Sequence, residues 1–157
     1  MWGINLQRWI SELEGRLAIL PVNGTNGNTL WNVVFDENWL TKPVQAPDGR
    51  LFLVAFGNMG MQVGMFNTAT DQNQDSKLYI VNPASGQVIG QPVTLAGEVA
   101  SVPTIVGSSS NYVVYIVTFD MGYNSNSRSG VQGPRRESTL YAFNQNGILL
   151  FSRPLNQ

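Results

Sequence analysis

Short apolar runs separated by turn-forming residues make up most of the chain. The runs are about four to eight residues long and rich in β-branched and aromatic residues, as in YVVYIVTF at 112–119, and this pattern is typical of strands. Between them lie PDG at 47–49, NPASG at 82–86 and NQNG at 144–147. Gly and Asn in such positions supply the positive φ angles of tight hairpin turns. The pattern therefore predicts an all-β, antiparallel protein.

The same arrangement of runs and turns recurs about every sixty residues. The turn glycines Gly27, Gly86 and Gly147 are 59 and 61 residues apart, and Pro43 and Pro103, which precede paired apolar runs, are 60 apart. A fixed period is the sequence signature of a repeat architecture. Each unit is predicted to be a four-stranded antiparallel meander, with a partial unit at 16–42 and complete units at 43–100 and 101–157. The predicted strands are 16–22, 28–35, 43–47, 50–56, 77–82, 86–95, 101–106, 112–119, 138–144 and 147–154.

The segment 1–15 precedes the repeats at 16–157 and does not share their pattern. Its apolar residues fall on one helical face, and Glu12 and Arg16 form an i,i+4 pair, which favours a short helix. A strand over 8–13 is the alternative, because a complete first unit would need one there.

The repeated residues resemble the quinoprotein-type (PQQ-like) β-propeller repeat. The resemblance rests on Leu-Tyr at 78–79 and 140–141, each followed by a turn that ends in glycine, and on Trp31 four residues after Gly27. In that family a Trp at this place packs between blades; here Phe151 substitutes for it and Gly90 departs from the pattern. The enzymes of the family carry a vicinal Cys pair, which this chain lacks, so the resemblance implies the propeller fold without the quinone cofactor.

At this period the chain holds about two and a half propeller blades, whereas propellers close with typically 4 to 8. An incomplete set leaves apolar blade faces bare, and such faces are adhesive. The expected partners are therefore further blades, protein partners or further copies of the chain itself.

Composition removes several classes of function. With no His and no Cys, the chain has no imidazole base, catalytic thiol, disulfide or thiolate zinc site. A net charge of −1 argues against a nucleic-acid surface, and no apolar run approaches the roughly 20 residues of a membrane span. We expect no enzyme activity. Asn and Gln together number 26 against 19 charged residues, a balance that favours an extracellular, cell-surface or periplasmic location.

Two long connections are the candidate interaction loops. They cover 57–76 and 120–137, occupy the same place in their units, and are rich in Met, Tyr, Asn, Ser and Gly. Loops of this length are often functional, although a solvated insertion is the plain alternative. The candidate contact residues are Met59, Met61, Met65, Phe66, Tyr123, Arg128, Arg135 and Arg136. The three arginines form a basic cluster that could bind an anionic group or simply keep an edge solvated.

Asp71, Asn73 and Asp75 have the D-x-N-x-D spacing of a calcium loop. Ser76 and Asn82 stand where such a loop needs Gly and a bidentate Glu, so calcium is a possible cofactor against the alternative of an Asp/Asn-rich turn.

The sequence thus predicts a non-catalytic, propeller-type structural or interaction module of an extracellular or cell-surface assembly. The alternatives are a fragment of a secreted quinoprotein-like enzyme, a module similar to pilus-tip adhesins, whose propeller the segment 50–82 faintly resembles, and a scaffold subunit resembling the outer-membrane assembly lipoprotein.

Overall fold

The chain is all-β over the residues that the structure, a computed structural model, describes: 11–13, 16–35, 37–58, 75–97, 99–120 and 137–155. These ranges contain thirteen strands in three antiparallel sheets and no helix. The predicted all-β, antiparallel class is confirmed. Nothing helical in the described ranges has the length and apolar character needed to cross a membrane.

The first sheet has the order β1-β2-β3, with β1 (Ser11–Leu13), β2 (Arg16–Ile19) and β3 (Val33–Phe35). Strand β1 replaces the helix predicted for this segment over residues 11–13, and residues 1–10 lie outside the described ranges. Leu13 pairs with Arg16, so only two residues connect β1 to β2, the shortest common hairpin connection. Pairing with β2 satisfies backbone groups that an isolated short helix would leave to water.

The second sheet has the order β4-β6-β7-β8, and β5 also pairs with β6. Strands β4 and β5 lie end to end along one edge of β6. They therefore act as one interrupted strand, and the sheet is a four-stranded meander. Its strands are β4 (Glu37–Leu40), β5 (Val44–Gln45), β6 (Leu51–Asn58), β7 (Ser76–Val81) and β8 (Val93–Leu95).

The third sheet repeats this layout, with the order β10-β11-β12-β13 and with β9 also paired to β11. Strands β9 and β10 together form the interrupted first strand. The strands are β9 (Val99–Ala100), β10 (Thr104–Ser108), β11 (Asn111–Asp120), β12 (Glu137–Asn144) and β13 (Leu149–Pro154).

The predicted boundaries differ from the structure mainly in the first and last strands of the units. Segments 28–35 and 86–95 are not continuous strands: each makes one bridge, Val22 with Thr29 or Val81 with Val88, and pairs again only at β3 or β8. Between the isolated bridge and the next paired position, each of these segments has more residues than the strand it pairs with. The extra residues therefore bulge out of the ladder. Strands β4 and β9 were not predicted.

The second sheet is covered on both faces. Successive side chains of β6 point to opposite sides: Leu51 and Leu53 pack on Ile19 and Phe35 of the first sheet, whereas Phe52 and Val54 pack on the third. The core cluster between the second and third sheets is formed by buried residues of both. The second sheet and its turn contribute Ala46, Phe52, Val54, Leu78, Ile80 and Leu95, and the third sheet contributes Tyr112, Val114, Ile116 and Phe143. Three sheets are therefore stacked face to face with two apolar layers between them.

Candidate interaction surface

The three units carry similar turns between their last two strands, and the third turn is one residue shorter than the other two. In each turn an Asn opens the loop, its side-chain Oδ1 accepts a hydrogen bond from the backbone N–H two residues later, and its carbonyl accepts from the N–H of the closing glycine. The glycines have φ angles of 72°, 74° and 76°, a conformation that side chains with a Cβ disfavour. The pairs are Asn23 with Gly27, Asn82 with Gly86, and Asn144 with Gly147.

Trp31 of the first unit lies directly on the turn of the second. An ideal Cβ at Gly86 would stand 2.5 Å from Cε3 of the Trp31 ring, so the ring needs a glycine beneath it. The indole Nε1–H donates a hydrogen bond to the Pro83 carbonyl oxygen at 2.7 Å. An aromatic side chain of one unit is thereby docked on the next unit, through stacking and a fixed polar contact.

The junction between the second and third units has no aromatic at this place. The residue four after Gly86 is Gly90, and a Cβ there would meet nothing within 4 Å. Instead Ile80 Cδ1 would lie 3.0 Å from a Cβ at Gly147, with Val93 close behind it. Aliphatic side chains of β7 and β8 therefore fill the space that Trp31 occupies at the other junction.

The third sheet presents an apolar face that points away from the second sheet. Because Tyr112 and Tyr141 pack toward the second sheet, the alternating positions along β11 and β12 point the opposite way. The residues on that side belong to neither core cluster of the described chain, and Val106 and Phe151 are 58% and 47% exposed. Tyr115, Val117 and Leu140 are half-buried, and the small Ala142 between them is buried. We call this surface the end face; its apolar residues are Val106, Tyr115, Val117, Leu140, Ala142 and Phe151. Thr104 and Arg153 lie on the same face, because they pair with Tyr115 and Leu140.

On its two central strands the end face repeats a face that is buried one unit earlier. On the outer strands, Thr104 and Arg153 stand where the second sheet has Val44 and Val93. Cross-strand pairing matches Phe52 with Ile80 and Val54 with Leu78 in the second sheet. It matches Tyr115 with Ala142 and Val117 with Leu140 in the third. The four residues of the second sheet form its contact with the third. Their four counterparts, also apolar, belong to neither core cluster of the described residues.

A polar cluster joins the second sheet to the third at one end. The Tyr112 hydroxyl donates to Asp48 Oδ2 at 2.8 Å, and Arg50 Nη2 lies 2.6 Å from the same oxygen. Arg50 Nη1 also reaches Asn146 Oδ1 at 3.5 Å. Desolvation pulls the pKa of Asp48 upward, but hydrogen bonds from Arg50 and Tyr112 outweigh it and hold that pKa below 3.8. Burial, followed by the bond to Asp48, raises the pKa of Tyr112 to about 12.

A second carboxylate lies deeper, in β4. Glu37 is buried, and its Oε1 accepts from Lys77 Nζ at 2.9 Å and from the Tyr79 hydroxyl at 3.1 Å. Its other oxygen, Oε2, has no hydrogen-bond partner among the described residues. The ammonium beside Oε1 compensates much of the cost of burying the charge, and the edge-on contact of Tyr79 with Phe35 links this group to the first sheet.

Most of the candidate residues in the two long connections lie outside the described ranges. This holds for Met59, Met61, Met65, Phe66, Tyr123, Arg128, Arg135 and Arg136, and for Asp71 and Asn73 of the possible calcium loop. Asp75 is described: its Oδ1 accepts a hydrogen bond from the Gly97 N–H at 3.4 Å. No group of acidic residues suited to a metal ion occurs within the described residues.

The strand ends that flank the two long connections lie at the same end of the molecule. Tyr112, at the start of β11, touches Asp48 just before β6. At the far end of β11, Thr118 Oγ1 donates to the Ala96 carbonyl, beside Gly97, which binds Ser76 at the start of β7. Strands β6 and β11 therefore run the same way, and both lead into their long connections at one end.

Of the end-face residues, the sequence singled out only Phe151, as the substitute for a Trp that packs between blades. The others were covered only by the general expectation of bare blade faces. A signal was present. The run at 112–119 is apolar at both odd and even positions, as is usual for strands that are covered on both faces.

No protein-family model, curated protein or solved structure with which the chain was compared matches it.

Proposed function

We propose that this chain is a non-catalytic interaction module of propeller type, whose end face binds further sheets of the same kind in the same or another polypeptide. The observation that carries the proposal is the equivalence of the end face to a buried face. Tyr115, Val117, Leu140 and Ala142 occupy the positions at which the second sheet packs on the third. A surface built like an interior contact is suited to the same contact with a partner.

The polar groups of the described residues support a structural role. Asp48, Glu37 and Asp75 each accept hydrogen bonds that hold strands or turns together. Without His or Cys in the chain, the imidazole base and the thiol nucleophile of the common hydrolytic triads are absent. The amide-rich composition supports the further proposal that the module works outside the cytoplasm, at a cell surface or in a periplasm.

Thiol labelling tests whether the end face is covered in the native assembly. The chain has no Cys, so Val106→Cys introduces a unique thiol on the end face. Ile89→Cys is the matched control, on the exposed edge of the second sheet. In the described chain Val106 is 58% exposed and Ile89 is 38% exposed. If the end face is free, the thiol of Val106→Cys is therefore more accessible than that of Ile89→Cys.

In the assembly isolated under native conditions we expect the opposite order. The thiol of Val106→Cys should react with a maleimide about tenfold or more slowly than that of Ile89→Cys, and the difference should vanish in denaturant. Equal or faster labelling at position 106 in the native assembly would mean that the end face is open and the proposal is wrong.

A further inference from the structure

The docking contact between the first and second units has two halves, and the chain carries an unused copy of each. One half is an aromatic four residues after a turn glycine, as Trp31 is after Gly27. The other is the turn of the next unit, whose glycine lies under the ring, as Gly86 does. The contact is directional, because one unit supplies the ring and its neighbour supplies the turn.

The unused turn is in the first unit. Its backbone matches the turn that receives Trp31, with φ 72° at Gly27 against 74° at Gly86 and the same Asn-based hydrogen bonds. A Cβ at Gly27 would meet nothing within 4 Å, and residues 24–30 are exposed. The place that the ring fills at Gly86 is therefore open at Gly27.

The unused aromatic is in the third unit. Phe151 stands four residues after Gly147, lies on the end face beside Ala142, and is 47% exposed. Its benzyl ring has no N–H, so it needs no counterpart of the Pro83 carbonyl. One end of the molecule thus presents a ring and the other end a turn of the shape that receives such a ring.

We infer that two copies of this chain associate head to tail, with Phe151 of each copy docked on the Asn23–Gly27 turn of the other. This inference rests on the proposed function, because it names the partner of the end face. A heterologous contact closes when the rotation between subunits returns to the start. Three sheets from each copy make six, which lies within the 4 to 8 sheets typical of closed propellers.

Sedimentation equilibrium of the chain and two pairs of matched variants tests the inference. The unsubstituted chain should have twice the 17.2 kDa mass of one chain. Phe151→Lys should weaken dimerisation about tenfold or more. Val102→Lys is its control, because Val102 is 46% exposed, lies at the break between β9 and β10 of the third sheet and corresponds to Lys42, sixty residues earlier. It should leave the dimer intact.

The turn is tested by Gly27→Asp with Gly90→Asp as control. Both glycines have φ near 73° and open space around the Cβ position, and Asp is among the residues that tolerate this conformation. Any intrinsic cost is therefore similar at the two sites, and only Gly27→Asp should weaken dimerisation. An equimolar mixture of Phe151→Lys and Gly27→Asp should form heterodimers, because each such pair retains one unaltered contact.

The outcomes separate this inference from the proposed function. A monomeric mass with a protected Val106→Cys thiol overturns the second copy as partner and leaves the proposed function standing, with further sheets of one polypeptide as the cover. A monomeric mass with a reactive thiol overturns both. A dimer that Phe151→Lys disrupts and Gly27→Asp does not would be an end-face-to-end-face pair, which also overturns the head-to-tail inference.

Discussion

At the scale of single residues, Gly27 and Gly86 separate two reasons for using glycine. Both have a φ near +73°, but only Gly86 lies against another side chain, the indole of Trp31. A residue with a Cβ in this conformation costs roughly 1–2 kcal/mol. A Cβ pressed into a packed ring adds a further overpacking cost of about 1–3 kcal/mol.

We therefore expect Gly86→Ala to lower the free energy of unfolding by about 2–5 kcal/mol and Gly27→Ala by about 1–2 kcal/mol. Urea titrations of the two variants measure the difference. If the chain dimerises, the two variants are compared at protein concentrations below the dissociation constant of the dimer, so that the titration measures folding alone. Equal losses would show that Trp31 does not constrain position 86.

At the scale of the structural element, the interrupted first strand of each complete unit depends on one hydroxyl residue. At the break between β4 and β5, the Thr41 N–H donates to the Val54 carbonyl and Thr41 Oγ1 accepts from the Val54 N–H. Ser101 makes the same pair of bonds with Val117 at the break between β9 and β10. A proline follows two residues later in both units, where it cannot donate to a ladder.

Replacing the hydroxyl should cost more at the buried break than at the exposed one. Thr41 is buried, so Thr41→Val leaves the Val54 N–H without its acceptor in a dry environment, a loss of about 1–3 kcal/mol. Ser101 is exposed, so water replaces the hydroxyl in Ser101→Ala and the loss should be under about 1 kcal/mol.

Urea unfolding and amide hydrogen exchange at Val54 and Val117 measure these losses. Faster exchange at Val54 in Thr41→Val, with little change at Val117 in Ser101→Ala, is the expected result. If Ser101→Ala destabilises the chain as much as Thr41→Val, burial does not decide the strength of this bond.

At the scale of the whole molecule, the cluster of Asp48, Arg50 and Tyr112 ties the second sheet to the third and makes their contact sensitive to pH. The pKa of Tyr112 is raised from 10 to about 12 in the folded chain. Between these values the folded state keeps a proton that the unfolded state has lost, so its contribution to stability is complete below pH 10 and declines as the pH approaches 12. For Asp48 the pKa is lowered, so its contribution is present above pH 3.8 and is lost as the pH falls below that value.

We expect Tyr112→Phe to flatten the fall in stability between pH 10 and pH 12 relative to the unsubstituted chain. The free energy of unfolding, measured by urea titration across that range, gives the comparison, and the other tyrosines are common to both proteins. Tyr141→Phe serves as control, because the Tyr141 hydroxyl makes only a 3.5 Å contact with the Ala96 carbonyl. Parallel pH profiles for Tyr112→Phe and the unsubstituted chain would contradict the assignment.

The sequence predicted those parts of the fold that depend on residues close together along the chain. The turns at Gly27, Gly86 and Gly147 were predicted because an Asn, a glycine and two flanking apolar runs specify a hairpin turn within a few residues. The long strands β6, β7, β11 and β12 were predicted within one or two residues for the same local reason. Strands β4 and β9 were missed because each has only two to four residues, too few to show an alternating pattern.

The candidate site was less predictable, since it depends on which faces meet. The period and the uninterrupted apolar run at 112–119 implied bare faces, but not which residues form them. The contact of Asp48 with Tyr112 joins residues 64 apart, and that of Trp31 with Pro83 joins residues 52 apart. The spacing of Trp31 from Gly27 resembled that of a Trp that packs between blades, but it did not name Pro83 as the partner. The contact of Asp48 with Tyr112 has no signal in the spacing of the sequence.

The amino-acid sequence by itself determined the class, the period of about sixty residues and the turn chemistry, because each of these is set by neighbouring residues and their backbone preferences. Only the tertiary structure decided that the second sheet is covered on both faces while the third has one face without a described partner. Alternation along a strand fixes which side chains share a face. What lies against that face depends on how separate sheets pack, which no local pattern specifies.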